Sequence, residues 1–147
     1  MKIAIASDHA GYELKNFIKD YLLKMGYEVK DLGAYSDESS DYPDYAHPLA
    51  KSILNKEFDF GITLCGTGNG INMTVNKYNG IRSALCWTEE IAELARRHND
   101  ANVCALPARF INKETAIKIV EKFLTTSFEG GRHKRRIDKI PKKDECC

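Results

Sequence analysis

The sequence lacks the features that mark several large classes of protein. Its 147 residues include only 4 prolines and 1 tryptophan, and no apolar run approaches the roughly 20 residues of a membrane-spanning helix. Lys and Arg total 22 and Asp and Glu total 21, so the formal net charge is +1. A charge this small gives no indication of a nucleic-acid partner. We therefore expect neither a membrane partner nor a nucleic-acid partner.

Cysteine is sparse and follows no paired pattern. The five cysteines are Cys65, Cys86, Cys104, Cys146 and Cys147. Their count is odd and no Cys-x-x-Cys occurs, which argues against a disulfide framework or a redox motif. The opening residues, MKIAIASDHAG, turn polar after a short apolar run, so we expect no secretory signal and a reducing, cytoplasmic location.

The histidines also lack metal-ligand spacing. The four are His9, His47, His98 and His133. Because zinc sites are recognised by closely spaced ligand pairs, we expect no metal and no cofactor.

Apolar segments alternate with helical patterns along the chain. Strands are predicted over 2–6, 27–32, 59–65, 81–86 and 102–106. Between and after them the spacing and caps predict helices from about 14–25, 47–55, 71–76, 89–97 and 113–124, with a basic helix over 132–139. This alternation predicts an α/β fold over residues 1–140: one doubly wound, Rossmann-like or flavodoxin-like domain with five parallel strands and helices on both faces. Residues 141–147 are predicted to be a disordered tail.

Two unusual loops follow the first and third predicted strands. They read SDHAG, from Ser7 to Gly11, and CGTGNG, from Cys65 to Gly70. Ligands of such sheets bind at the carboxyl ends of the strands, where the winding reverses. For an assumed strand order 2-1-3-4-5 the reversal lies between strands one and three, so both loops are expected at a ligand site.

The CGTGNG loop has two interpretations. Gly66, Gly68 and Gly70 allow backbone amides to approach a ligand closely, and a thiolate from Cys65 beside such donors can remove a proton next to a carbonyl. The alternative is a tight turn after a cysteine that only packs in the core. The spacing is not that of the dinucleotide fingerprint.

Several other residues have both a functional and a structural interpretation. Asp8 and His9 can contact a ligand, or Asp8 can simply cap the first helix. Arg132 and Arg136 lie four residues apart on a predicted helix, which suits a phosphate but is also typical of a solvated basic face. Arg109 can likewise bind a phosphate or belong to a solvated surface. His98 lies between a predicted helix and the fifth strand, where a histidine is often structural.

The chain resembles the ribose-5-phosphate isomerase B family, which also includes the galactose-6-phosphate isomerase subunits. The matching segments are SDHAG, SSDYPDYA, CGTGNGINMTVNK, RRHNDANV and EGGRHKRRI, in this order. One segment, LPAR at 106–109, departs from the glycine-containing form that the family has there.

The resemblance implies an aldose–ketose isomerase that needs no metal and forms a cis-enediolate from a phosphorylated sugar. It implies that Cys65 is the base, that Thr67 and the loop amides stabilise the enediolate, and that His98 assists ring opening. The substrate-binding residues that it implies are Asp8, His9, Tyr42, Gly66, Gly68, Asn69, Gly70, Asn99, Arg109, Arg132 and Arg136.

Strand topology places these residues at two edges of the sheet. His98 precedes the fifth strand, at its amino end, whereas Cys65 ends the third strand at the carboxyl edge. We therefore expect a homodimer or a tetramer in which His98 and Asn99 enter the site of a second subunit. Two alternatives to ribose 5-phosphate isomerisation stay open: a six-carbon phosphosugar as substrate (galactose 6-phosphate or allose 6-phosphate), and a phosphate-binding module without catalysis.

Overall fold

Five parallel strands form one sheet in a computed structural model that describes residues 1–141. The strands are β1 (Lys2–Ser7), β2 (Glu28–Asp31), β3 (Phe60–Cys65), β4 (Ser83–Leu85) and β5 (Val103–Pro107). Every neighbouring pair is parallel, which confirms the predicted α/β class. Of the predicted tail at 141–147, only residue 141 is described, and 142–147 lie outside the described residues.

The strand order is β2-β1-β3-β5-β4, so the assumed order was wrong for the last two strands. β5 is buried along its whole length, whereas the three residues of β4 are only half-buried. An apolar strand buried on both faces is stable between two neighbours, and a short, partly polar strand belongs at an edge. The reversal of winding between β1 and β3 is as predicted. In the observed order β5, and not β4, lies directly beside β3.

Six α-helices connect and flank the strands. They are α1 (Tyr12–Lys24), α2 (Tyr42–Leu54), α3 (Asn69–Val75), α4 (Glu89–Asn99), α5 (Lys113–Thr125) and α6 (Arg132–Ile137), and a 3-10 turn covers His9–Gly11. The predicted caps are confirmed: Thr88 accepts a hydrogen bond from the Ile91 amide (3.3 Å) and Asn112 from the Thr115 amide (2.8 Å).

Helix α2 begins five residues before its predicted start at residue 47. The segment DYPDY reads as a loop because it contains a proline, yet Pro43 lies in the first helical turn. Proline is tolerated there because the first amides of a helix have no intrahelical acceptor. Tyr42 is therefore the first residue of a helix and is positioned by it.

The sheet separates two apolar clusters, as a doubly wound fold requires. Ile3 and Ile5 of β1 face the cluster that α1, α4 and α5 cover. Ala4 and Ala6 face the cluster under α2 and α3, to which Cys65 also belongs. Within residues 1–141, no helix is both long and apolar enough to cross a membrane.

One ion pair lies beneath the first helix. Lys15 of α1 has no exposed surface, and its Nζ lies 2.6 Å and 2.7 Å from the two carboxylate oxygens of Asp31 on β2. The carboxylate also accepts hydrogen bonds from the Lys19 ammonium (3.1 Å) and the Gly33 amide (2.9 Å). Asp31 is thus the shared acceptor that compensates a buried cation.

Candidate active site

The ends of β1 and β3 meet at the carboxyl edge of the sheet. The Asp8 amide donates a hydrogen bond to the Leu64 carbonyl (3.2 Å), which holds the SDHAG loop beside Cys65. Asp8 as a whole residue is 6% exposed, and its carboxylate accepts hydrogen bonds from the Ala10 and Gly11 amides. Asp8 therefore caps the 3-10 turn that leads into α1.

The CGTGNG loop is shaped by what lies opposite each glycine. Gly68 has φ +74°, and a Cβ there would lie 2.4 Å from Leu85 Cδ1 and 3.0 Å from the Leu106 carbonyl carbon. A Cβ on Gly70 would lie 2.5 Å from the Tyr42 ring. Both glycines therefore allow the close packing of this turn.

Cys65 occupies the last position of β3. Its side chain is 4% exposed, its thiol is free, and its carbonyl accepts a hydrogen bond from the Ala108 amide (2.9 Å). Next to it, the Thr67 hydroxyl accepts a hydrogen bond from the Asn69 amide (3.2 Å). Cys65 thus directly precedes the glycine-rich loop that carries the Thr67 hydroxyl.

Arg109 lies over the same loop. Its amide donates to the Gly66 carbonyl (3.0 Å), and a Cβ on Gly66 would lie 3.3 Å from the nearest guanidinium nitrogen. This placement follows from the observed strand order, because β5 pairs with β3 and Pro107 is in register with Cys65. Despite the unusual LPAR sequence, the arginine side chain lies near the thiol-bearing strand end.

The segment with SSDYPDYA brings two further candidates to this edge. The Ser40 hydroxyl accepts from the His9 amide (3.1 Å), and His9 Nδ1 lies 3.1 Å from the Ser40 amide nitrogen. Tyr42 packs its ring on Gly70 and is 38% exposed. The carboxyl-edge group therefore consists of Asp8, His9, Tyr42, Arg109 and residues 65–70.

The remaining candidates lie elsewhere. His98 and Asn99 end α4, and the Asn102 carbonyl that follows them accepts from the Gly61 amide at the start of β3 (3.0 Å). Between that point and Cys65 the register with β5 advances four residues, about 13 Å. Arg132 and Arg136 are exposed on α6, which packs against α4. The chain therefore presents an amino-edge group, His98, Asn99, Arg132 and Arg136, apart from Cys65.

The amino-edge group includes two residues that sequence reasoning did not connect with it. The rings of His98 and His133 stack in parallel with centroids 4.3 Å apart, and the Glu129 carboxylate lies 3.7 Å from His133 Nε2. These three side chains offer donor atoms within 4.8 Å of one another, although the four histidines lack metal-ligand spacing in the sequence. The i, i+4 spacing of Glu129 and His133 was a signal in the sequence, but His98 joins only through the packing of α4 on α6.

Four cavities of 340–600 Å³ lie elsewhere on the chain. Each is lined by residues outside both groups of candidates. Cys65 lines none of these four.

Comparison with known proteins decides the family. A model of the family described as Ribose/Galactose Isomerase matches residues 3–140. The chain belongs to the ribose/galactose isomerase family. It is accordingly an isomerase, and the resemblance inferred from the sequence motifs is confirmed. The alternative of a phosphate-binding module without catalysis is not supported by this membership.

Individual members of the family are similar over almost their full length. The chain is 44% identical to the ribose-5-phosphate isomerase B of Escherichia coli, with 95% of this chain and 93% of the relative covered. It superposes with a TM-score of 0.93 on a ribose 5-phosphate isomerase of Thermotoga maritima, which is 59% identical with 94% and 95% of the two chains covered. The ribose-5-phosphate isomerase B of Mycoplasma genitalium, solved with bound ribulose-5-phosphate, gives a TM-score of 0.90 at 48% identity, covering 95% and 93%.

Proposed function

We propose that this isomerase interconverts ribose 5-phosphate and ribulose 5-phosphate. One observation carries the proposal: a thiol, a loop of backbone donors and an arginine meet at the strand ends in a chain 48% identical to a protein solved with bound ribulose-5-phosphate. The site would act on the open-chain sugar. Since a base of this kind requires a reduced thiol, the expected cytoplasmic location is part of the proposal.

In the proposed mechanism the Cys65 thiolate takes the proton from C2 of the aldose. The C–H electron pair forms the C1–C2 double bond, and the carbonyl pair moves onto O1. The amides of residues 66–70 and the Thr67 hydroxyl donate to the negative oxygen of the cis-enediolate. The hydroxyl proton of O2 then moves to O1, which leaves the negative charge on O2. The O2 electron pair forms the new C2 carbonyl while the C1–C2 double-bond pair takes the proton back from the same thiol at C1. The base and the donors supply what this transfer needs, so no metal takes part in it.

The polar groups around the thiol suit a phosphorylated sugar. In this proposal Asp8, His9 and Tyr42 orient the sugar hydroxyls, and Arg109 contributes charge at the loop. The phosphate is bound by the guanidinium groups of Arg132 and Arg136, whose planar donors match phosphate oxygens. Gly66, Gly68, Asn69 and Gly70 contribute backbone donors.

The proposal also requires two subunits at each site. His98, which would protonate the ring oxygen as the sugar opens, and Asn99 lie at the amino edge of their own sheet. Since about 13 Å of strand separates that edge from Cys65, the amino-edge group of one subunit would complete the carboxyl-edge group of another. A two-fold dimer forms two such shared sites.

Coexpression of two inactive variants tests the shared site. Cys65→Ala and His98→Ala in one dimer leave one site with both residues intact, so random assembly should restore about a quarter of the wild-type sites. The measurement is isomerase activity of the purified mixture. As the matched control, Cys65→Ala with Thr67→Ala damages the carboxyl edge in both chains and should restore nothing. A first mixture no more active than its separate parents contradicts the shared site.

A comparison of phosphosugars tests the substrate. One extra CHOH unit must fit the same site, and a change of about one carbon alters kcat/KM by roughly 10- to 200-fold. We expect kcat/KM for ribose 5-phosphate to exceed the values for galactose 6-phosphate and allose 6-phosphate by a factor in that range. Because the family description also names galactose, equal or higher values for a six-carbon sugar would assign that substrate instead.

A further inference from the structure

The amino-edge histidines and a nearby carboxylate form a cluster that the proposed reaction does not explain. His98, Glu129 and His133 place their donor atoms within 4.8 Å of one another. Two imidazoles and a carboxylate are a donor set that zinc uses when it keeps a fourth position for water. We propose that these three residues form a binding site for Zn²⁺, and that occupation of the site inhibits the enzyme.

His133 gives the independent indication of a ligand. Its side chain is only 7% exposed, and its Nε2 has no hydrogen-bond partner within residues 1–141. A buried polar nitrogen without a partner is costly, and a metal ion would satisfy it.

Glu129 is held toward the histidines by its backbone and by its neighbour. Its amide donates to the Arg97 carbonyl (3.0 Å), next to His98 in the chain. Its Oε2 lies 3.3 Å from Arg97 Nη2, and its Oε1 lies 3.7 Å from His133 Nε2. One oxygen is thus paired with a guanidinium, and the other faces the histidines.

Formation of the site requires the His98–His133 stack to open, because the in-plane nitrogen lone pairs of two parallel rings do not converge on one ion. A tetrahedral ion about 2.0–2.1 Å from two nitrogens holds them roughly 3.4 Å apart, closer than the upper limit of 4.8 Å in the cluster. His98 is half-exposed at the end of α4 and Glu129 is exposed, so both can rotate toward the fixed His133. The positive charges of Arg97, Arg132 and Arg136 oppose the ion and limit its affinity.

The inhibitory effect rests on the proposed function, but binding does not. An ion held by His98 removes the group that opens the sugar ring. Binding to the protein can be measured without any substrate, so the two parts of the inference can fail separately.

The test is a titration with ZnCl2 by calorimetry, with Co²⁺ absorption as a second probe of the ligand set. The full chain carrying Cys146→Ser and Cys147→Ser is the parent, because adjacent thiols bind zinc themselves. We expect one ion per chain, and affinity about 10- to 100-fold weaker in Glu129→Gln and in His133→Gln. His47→Gln is the matched control, since that ring contacts Tyr78 rather than the cluster.

The outcomes separate clearly. Weaker binding in Glu129→Gln, an exposed position whose replacement leaves the core intact, together with unchanged binding in His47→Gln supports the site. A parent that binds no zinc, or a Glu129→Gln variant with the parent's affinity, overturns it. In the isomerase assay, the zinc concentration that halves activity should rise in Glu129→Gln by the same factor as the dissociation constant. If zinc binds but activity is unaffected, the site exists and its inhibitory role is wrong.

Discussion

Replacing Cys65 with alanine should reduce kcat for ribose 5-phosphate by about 10²–10⁴-fold, the usual contribution of a positioned general base. The reason is that the sulfur alone, in the proposed mechanism, exchanges the proton between C1 and C2. KM should change little, because the phosphate and hydroxyl contacts are made by other residues. Steady-state kinetics at saturating sugar phosphate measure the effect.

Cys104→Ala is the matched control for this experiment. Cys104 is fully buried in the opposite apolar cluster, and a hydrogen bond with Cys86, followed by burial, raises the pKa of its thiol. The Cys104→Ala variant therefore loses packing contacts in the core but keeps the proposed base. Its free energy of unfolding should fall while its kcat stays near the wild-type value. Retention of wild-type kcat by Cys65→Ala would remove the thiol from the mechanism, whatever its effect on folding.

Replacing Asp31 with alanine should lower the free energy of unfolding by about 3–5 kcal/mol, as expected when one partner of a buried ion pair is removed. The variant leaves the fully buried Lys15 ammonium without its acceptor, and Lys19 and the Gly33 amide lose theirs. Urea denaturation monitored by circular dichroism gives the change. Glu28→Ala on the same strand is the control, because its contact with Lys2 is long (3.7 Å) and exposed.

The pH dependence of that difference follows from the direction of the pKa shift. Burial acts to raise the pKa of Asp31, but hydrogen bonds from Lys15, Gly33 and Lys19 outweigh it and the pKa is lowered. A lowered folded-state pKa means that the stabilisation is complete above the unfolded value of about 3.9 and is lost as the pH falls below it. The gap between wild type and Asp31→Ala should therefore narrow in acid. A gap that widens there, or an Asp31→Ala cost no larger than that of Glu28→Ala, contradicts the assignment.

Local signals in the sequence predicted the elements well because the physics that forms them is local. The caps at Thr88 and Asn112 depend on a side chain reaching an amide three residues away. Strand ends were predicted to within two residues, since apolar runs and their flanking glycines define them. The loop at Cys65 was recognisable for the same reason.

Longer-range relations were not readable from the sequence. The positions of β4 and β5 depend on which strand gains more from burial between two neighbours, and no local pattern records that comparison. Consequently the closeness of Arg109 to Gly66 was implied only by family resemblance. The stack of His98 on His133 likewise depends on how α6 docks on α4.

The detour of the chain between β3 and β5 determines when the carboxyl-edge group can form during synthesis. Between Cys65 and Arg109 the chain first forms the edge strand β4 and then returns to form β5 beside β3. A nascent polypeptide emerging from the ribosome contains Cys65 before Arg109 has been synthesised. In the proposed mechanism, proton transfer at Cys65 therefore needs a chain that extends through β5, and no shorter amino-terminal fragment should support it.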